Sequence, residues 1–497
     1  MPPMSGLAAR NGGRIGLAAL VAILLLGVGL RVGYAWEGRQ PVYDAAAYAT
    51  IAANLERGEG FTLGAIATQP ASNYSPGVPL LAGGLYKLTG GIHERLARLV
   101  LALVGSLSVL FAYLIGRRLS GPLAGLIGAA AVAVYPALLE YQGMLMGEPL
   151  AATLLSGAVL AMLWAGGGEG GRGCPGAGWV FRLGGKRPSE IGGGAKKRTP
   201  RAPGHPRPPS IGWLAPGLSL GALALVRPEY MAISLPVAVV IFARGGRDGW
   251  RQCLLQALVM LVGLVVVVGP WTVRNAIALD RFVPISTGGG QVLFAGIYLP
   301  AGADPERVGR EVLERHPGLT RRLAVEYLPP RSPFVSHSAT NSERVDAVVA
   351  EVRLEQILAA LAAQRFPGME SDAALARMGR ERLWDEVSTE PIAYAGFVAA
   401  KVGRIWSHGP RDVMREPLWE ALHWLLVAFG LLGLGLLAWQ RRWEALLLGA
   451  ILLAVTATGA LLVASPRRVL VAVPLVAALA GAGAAWLLGA WQQRIRH

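Results

Sequence analysis

Two acids and four arginines stand at the ends of long apolar runs, where an ionisable side chain is costly and marks a functional position by default. Asp44, in Pro41-Val-Tyr-Asp44-Ala-Ala-Ala-Tyr48, opens a stretch in which Tyr48, Ile51 and Leu55 recur at helical spacing. A carboxylate there either caps the helix by accepting from free backbone N–H groups or serves as a general base. Glu148, in Met146-Gly-Glu148-Pro149, precedes a proline suited to a first helical turn. It either complements the helix dipole or works with Asp44, as base and helper or as paired oxygen ligands for a divalent cation. Glu140 is the rival acid in the same loop.

The arginines are Arg227 (Val226-Arg-Pro-Glu229), Arg274 (Pro270-Trp-Thr-Val-Arg274-Asn275), Arg467 and Arg468 (Ser465-Pro-Arg-Arg468). Guanidinium forks match phosphate oxygens; pairing with local acids or snorkelling to headgroups is the plain alternative. In Ile285-Ser286-Thr287-Gly288-Gly-Gly290 the glycine triplet offers backbone N–H groups for an anion nest, or simply a flexible loop. No GxxxxGK[ST] loop and no GxGxxG after a strand occurs, so a nucleotide-binding domain has no sequence support. The histidines are scattered without ligand spacing, and Cys174 and Cys253 build neither a disulfide framework nor a zinc site. A divalent cation on the acids is the cofactor that stays open.

The elements positioning these residues follow from composition. Of 497 residues, 53% are hydrophobic and 16% charged, with mean hydropathy +0.45; soluble domains carry about 25% charged residues. The apolar residues come in blocks, and a span needs roughly 20 of them. The blocks are Ile15–Trp36, Leu96–Ile115, Leu123–Leu139, Pro149–Trp164, Ile211–Val226, Tyr230–Phe242, Cys253–Trp271, Leu418–Trp439, Ala445–Ala464 and Val469–Leu488. Val78–Leu88 is short enough to be re-entrant or interfacial, and 44–57 reads as an amphipathic helix on the membrane surface. The first run reads as an uncleaved anchor, because a polar motif follows it at once.

Net charge of +16 suggests nucleic acid until its placement is considered. With the N-terminus inside, Arg117–Arg118, loop 165–210, Arg244–Arg251, Arg441–Arg442 and the tail fall in the cytoplasm, as the positive-inside rule requires. Loop 165–210 alone has nine Lys/Arg against Glu169 and Glu190. The excess therefore reads as topology and contact with anionic membrane lipids, without a nucleic-acid partner. The organisation expected is 1–164 as an N-terminal transmembrane catalytic module, 165–210 a disordered basic loop, 211–272 three spans, 273–415 an external insert, and 416–497 the last spans. Within the insert, Glu343–Leu361 and Ser371–Val387 read as helices. Asp44, Glu148 and all four arginines then share the external face.

The order Asp44-x-x-x-Tyr48, Tyr74-Ser-Pro-Gly-Val-Pro79, Gly116-Arg-Arg118, Tyr135-Pro136, Gly147-Glu-Pro149, Arg227-Pro228, Pro270-Trp-x-x-Arg-Asn275, Ser286-Thr287 and Pro466-Arg-Arg468 resembles membrane glycosyltransferases of the GT-C fold. The nearest resemblance is to the protein O-mannosyltransferase and lipid A aminoarabinose transferase branch, over about 14–300 and 380–490. It implies an all-α polytopic membrane protein, a helical bundle of about ten spans with an external, partly helical insert. It further implies a polyprenyl-phosphate sugar donor, a glycan, lipid or protein acceptor, and chemistry at the external face of the plasma membrane. Asp44 matches the family's catalytic acid and Glu148 the acid of the second external loop. Arg227, Arg274, Arg467 and Arg468 would meet the donor phosphate; Tyr48, Tyr74, Asn275, Ser286 and Thr287 would position donor or acceptor. Ser75 stands where relatives near the aminoarabinose transferase carry lysine, and Arg467 and Arg468 are adjacent where an Arg-Tyr-Arg pattern is usual. A transporter or flippase of lipid-linked sugars, and a polysaccharide polymerase or ligase, are the rival functions.

Overall fold

The computed structural model describes residues 5–41, 44–64, 70–166, 211–298, 305–330, 332–335, 339–407, 409 and 411–496. The basic loop expected at 165–210 lies outside them from residue 167 on. The regular secondary structure of the described residues is helical, apart from one isolated bridge between Thr62 and Pro70.

Among the described residues seven helices are long and apolar enough to cross a membrane: Ile15–Glu37, Glu94–Ser120, Glu148–Gly166, Gly249–Leu279, Pro417–Trp439, Trp443–Leu461 and Pro466–Ile495. They lie in α1 (Ser5–Glu37), α4 (Glu94–Ser120), α7 (Glu148–Gly166), α10 (Gly246–Leu279), α18 (Pro417–Trp439), α19 (Trp443–Leu461) and α20 (Val473–Arg496) with the turn before it. The protein is a multi-pass membrane protein. Of the other three runs expected to span, Leu123–Leu139 is a bent pair, α5 (Pro122–Ala133) and α6 (Pro136–Glu140). Ile211–Val226, which ends in α8 (Leu214–Val226), and Tyr230–Phe242, which falls in the helical stretch Pro228–Ala243 ending in α9 (Ser234–Ala243), are shorter than a full span.

The bend has a local cause and a distant brace. Pro136 cannot donate to a helix and pushes Tyr135 to an extended conformation, φ −67° and ψ 111°. The pair turns by 54° at the break. Carbonyls freed at the end of α5 are taken by Arg31 of α1, whose Nη2 donates to Val132 O at 2.9 Å and Nη1 to Ala133 O at 3.2 Å. Arg31 is fully buried. Close approach of α20 to α5 depends on Gly481, where an added Cβ would lie 2.0 Å from Ala124 O. Small residues let helices meet backbone to backbone where lipid supplies no hydrophobic drive.

Outside the bundle, α2 (Asp44–Arg57) packs on α3 (Gly77–Thr89). The apolar side of α2, with Tyr48, Ile51 and Ala52, is buried in protein. The spacing of Tyr48, Ile51 and Leu55 predicts a helix lying on the membrane; the short apolar run of α3 supplies a protein partner instead. The insert contains α11 (Gly289–Gly296), α12 (Pro305–Arg315), α13 (Pro317–Tyr327), α14 (Asn341–Glu351), α15 (Leu354–Arg365), α16 (Ser371–Thr389) and α17 (Pro391–Ser407). Val312, Leu323, Val348, Leu358 and Leu375 give α12–α16 a core of their own. The single helix expected over Glu343–Leu361 is two, because Val352 and Arg353 are extended and the Gln356 side chain accepts from Arg353 N at 3.1 Å.

Candidate active site

Asp44 is the first residue of α2 and Glu148 the first of α7, so two helix starts aim two carboxylates at one another's neighbourhood. Between them stands Arg467, carried by the 3-10 turn Pro466–Arg468 that leads into α20. Its Nη2 donates to Asp44 Oδ2 at 2.9 Å, and its Nε donates to Glu148 Oε1 at 2.8 Å. Arg227, at the break between α8 and the turn Pro228–Ile233, donates from Nη2 to the same Glu148 oxygen. The set alternates in sign, Asp44–Arg467–Glu148–Arg227, and sums to zero. Glu148 is 2% exposed, Asp44 35% and Arg467 29% at the side chain, so the set runs from an open acid to a closed one. A buried carboxylate is stable only when paired in this manner.

The remaining expected residues divide. Tyr48, one turn after Asp44, is buried, and burial pushes its hydroxyl up to about 12 against the lowering effect of Arg227 and a hydrogen bond with Ser75. Tyr74 meets the Tyr48 ring edge-on at 6.1 Å. Arg468 turns away from the acids: its Nη1 donates to Glu229 at 3.1 Å and its Nε to Val463 O at 3.0 Å, while Tyr230 donates to its carbonyl. Arg274 is on another ledge, its guanidinium 4.9 Å from the Trp271 ring and 5.5 Å from Phe61, with Nη1 donating to Asn275 Oδ1 at 3.0 Å. Asn275 pins the returning chain through Val283 O and Ile285 O. Thr287 is tied to Ser72, backbone N to O at 2.7 Å and hydroxyl to hydroxyl at 3.2 Å, with Ser286 half-buried beside it.

The glycine triplet is not an open anion nest. Gly290 N and Gln291 N already donate to Asp372 Oδ1, at 2.8 and 3.2 Å, so a carboxylate of the insert occupies the start of α11. Glu140, the rival acid, belongs to a neighbouring set: its Oε2 accepts from Arg411 Nε at 2.5 Å and lies 3.6 Å from Arg39 Nη1. The Tyr141 ring joins the two sets, 5.5 Å from the Arg411 guanidinium and 5.9 Å from that of Arg467. Arg411, Tyr141 and Glu229 escaped the sequence reading. The signal for Arg411 was available, an arginine on the side where the positive-inside rule does not place one. Among the described residues no three His, Cys, Asp or Glu side chains converge.

No family model matches the chain, and no curated protein matches it. Solved structures do. The oligosaccharyltransferase of Archaeoglobus fulgidus in its apo form is 16% identical, with a TM-score of 0.51, over 97% of this chain and 52% of that one. The same enzyme with zinc and sulfate gives 12% identity and a TM-score of 0.50, over 96% of this chain and 50% of that one. The fold is GT-C. The chain thus spans about half the length of the oligosaccharyltransferase, and at this identity the likeness concerns the fold. ArnT from Cupriavidus metallidurans in the apo state is 17% identical, with a TM-score of 0.35, over 96% of this chain and 78% of that one. In the GT-C bundle found here, the charged set lies where α2, α7 and the turn before α20 meet.

Proposed function

We propose that the chain is an inverting membrane glycosyltransferase. It moves a sugar from a polyprenyl phosphate to an acceptor hydroxyl at the external face of the plasma membrane. The observation that carries this reading is Arg467 bridging Asp44 and Glu148, with Arg227 closing the far side of Glu148. The GT-C fold, shared with an oligosaccharyltransferase, supports the reaction class, and the positive-inside distribution supports the face.

The acceptor hydroxyl attacks the anomeric carbon, a new C–O bond forms, and the bond from that carbon to the phosphate oxygen breaks. Asp44, the more open acid, takes the hydroxyl proton. The departing phosphate keeps the electron pair, and Arg467 with Arg227 stabilises its charge, a preorganised electrostatic contribution of the kind that is usually largest. Glu148 holds both guanidinium groups in place before the donor arrives. Arg468 acts through Glu229 and the turn that carries Arg467, and Arg274 lies on the aromatic ledge of Phe61 and Trp271. This division replaces the equal roles expected for the four arginines. A divalent cation between Asp44 and Glu148 would have to displace Arg467.

The deciding experiment uses purified protein and an acceptor extract with matched prenyl-phosphate and nucleotide sugars. Transfer from the prenyl-phosphate sugar is expected. Transfer from the nucleotide sugar alone, or movement of the lipid-linked sugar across vesicles without any transfer, overturns the proposal; the latter outcome is the flippase.

A further inference from the structure

The insert holds a cleft apart from the acid–arginine set. Helices α11, α12, α15 and α16 leave between them a cavity of about 720 Å³, within the rough range of 300–1,000 Å³ for ligand pockets. Its floor is apolar, made by Phe294, Met378 and Tyr298, with the Arg382 guanidinium 4.8 Å from the Tyr298 ring. Its rim is polar and exposed, with Arg315, Gln364, Arg365, Glu381 and Asp385.

The charge state of that rim narrows the ligand. Each arginine already has an acid: Arg315 with Glu311 at 2.8 Å, Arg365 with Glu381 at 3.3 Å, Arg382 with Glu386 at 2.7 Å. An anionic ligand would meet repulsion from Glu381 and Asp385 and share each guanidinium with an acid already on it. A neutral polyhydroxylated ligand would not, since a hydroxyl donates to a carboxylate and accepts from a guanidinium at the same time. The C–H faces of sugar rings would cover the apolar floor. An extended peptide fits less well: the walls are helices, whose backbone groups are bonded internally, and among the described residues no strand edge stands ready to pair with a main chain.

We infer that this cleft binds a neutral glycan. One helix connects it to the acid–arginine set. Thr287, just before α11, is bonded to Ser72 near Tyr74, and Phe294 at the other end of α11 lies in the cleft floor. On the glycosyl-transfer reading above, on which this clause rests, the glycan is the acceptor, gripped by sugars remote from the one that reacts. Remote binding of this kind positions the reacting group.

The test titrates full-length purified protein in lipid nanodiscs with fluorescently labelled short glucan, mannan and galactan oligosaccharides, a sulfated oligosaccharide, and an unstructured peptide of similar length. At least one neutral class is expected to bind with Kd below about 1 mM. Gln364→Trp, which fills the mouth from an exposed position, should weaken that binding by about tenfold or more, and Asp385→Ala by about threefold or more. Asp44→Asn should leave it unchanged. Absence of neutral binding, binding of only the sulfated sugar or the peptide, or binding indifferent to Gln364→Trp overturns the inference. Glycan binding without any transfer leaves the cleft standing and removes the transferase reading. Transfer with a KM unmoved by Gln364→Trp does the reverse.

Discussion

Arg467 Nη2 donates to Asp44 Oδ2 at 2.9 Å across 423 positions of sequence, and the same nitrogen lies 2.7 Å from Glu148 Oε1. One guanidinium thereby pairs with a partly exposed acid and a buried one. On the proposed reaction, the donor phosphate competes with Asp44 for Arg467, and its arrival frees Asp44 to act as base.

Asp44→Asn should lower turnover by about 10²–10⁴-fold, the usual contribution of a general base, while donor affinity stays within a few-fold. Turnover from a prenyl-phosphate sugar and donor binding, measured on the same preparation, separate the two. Near-normal turnover would reduce Asp44 to the start of α2.

Arg467 and Arg274 should behave differently. Arg467→Ala leaves buried Glu148 with Arg227 as its remaining strong partner, and breaking a buried pair costs about 3–5 kcal/mol. A fall in Tm and a loss of turnover are both expected, with Arg467→Lys restoring charge but little activity, since lysine lacks the fork. Arg274→Ala loses cation–π contacts worth about 0.5–2 kcal/mol and should change turnover much less. Equal losses in kcat for the two alanine variants would contradict the division seen in the site.

Arg31 should matter through the bend it braces. Arg31→Leu strips the partners from Val132 and Ala133 carbonyls in apolar surroundings, at about 1–3 kcal/mol per unsatisfied group. Thermal unfolding in detergent should shift down. Turnover should fall with it, because the chain beyond the bend carries Tyr141 and leads to Glu148. An unchanged Tm would show the carbonyls satisfied in another way.

Lys401 provides a pH dependence away from the spans. It is buried in α17, donates from Nζ to Gly296 O at 2.6 Å, and burial, with a smaller contribution from Arg468, lowers it from 10.5 to about 8. Below pH 8 folded and unfolded chains both hold the proton, so the cost of the buried charge is fully present. Between about 8 and 10.5 the unfolded chain holds more protons, so stability should rise with pH in that window. Lys401→Met should abolish that rise, as read by Tm against pH. A variant that keeps the same slope would assign it to other groups.

Membrane sidedness is open to thiol labelling. In a background lacking Cys174 and Cys253, Ser342→Cys on the insert should react with an impermeant reagent on intact cells, and Ser120→Cys, next to Arg117–Arg118, should not. The inverse pattern would move the candidate site to the cytoplasmic face.

Much of the bundle was legible from sequence. A span must satisfy its backbone within itself and be apolar along its length, so runs such as Leu418–Trp439 declare themselves. The helix starting at Asp44 was readable for the same local reason, from the spacing of Tyr48 and Ile51. The membrane face assigned to that helix was not, because its partner α3 lies beyond an intervening loop.

What sequence determined by itself was the membrane class, the long apolar helices and the start of a helix at Asp44, all properties of single segments. What only the tertiary structure decided was pairing. Arg467 and Arg468 are neighbours and chemically identical, yet they face Asp44 and Glu229. They sit in a 3-10 turn, where successive side chains diverge by about 120°, so one reaches the acid pair and the other cannot. The glycine triplet reads from sequence as an anion nest or a flexible loop, and its occupant, Asp372, lies 82 positions from Gly290. Such pairings depend on which helix ends the packed bundle brings together, and no local pattern carries that information.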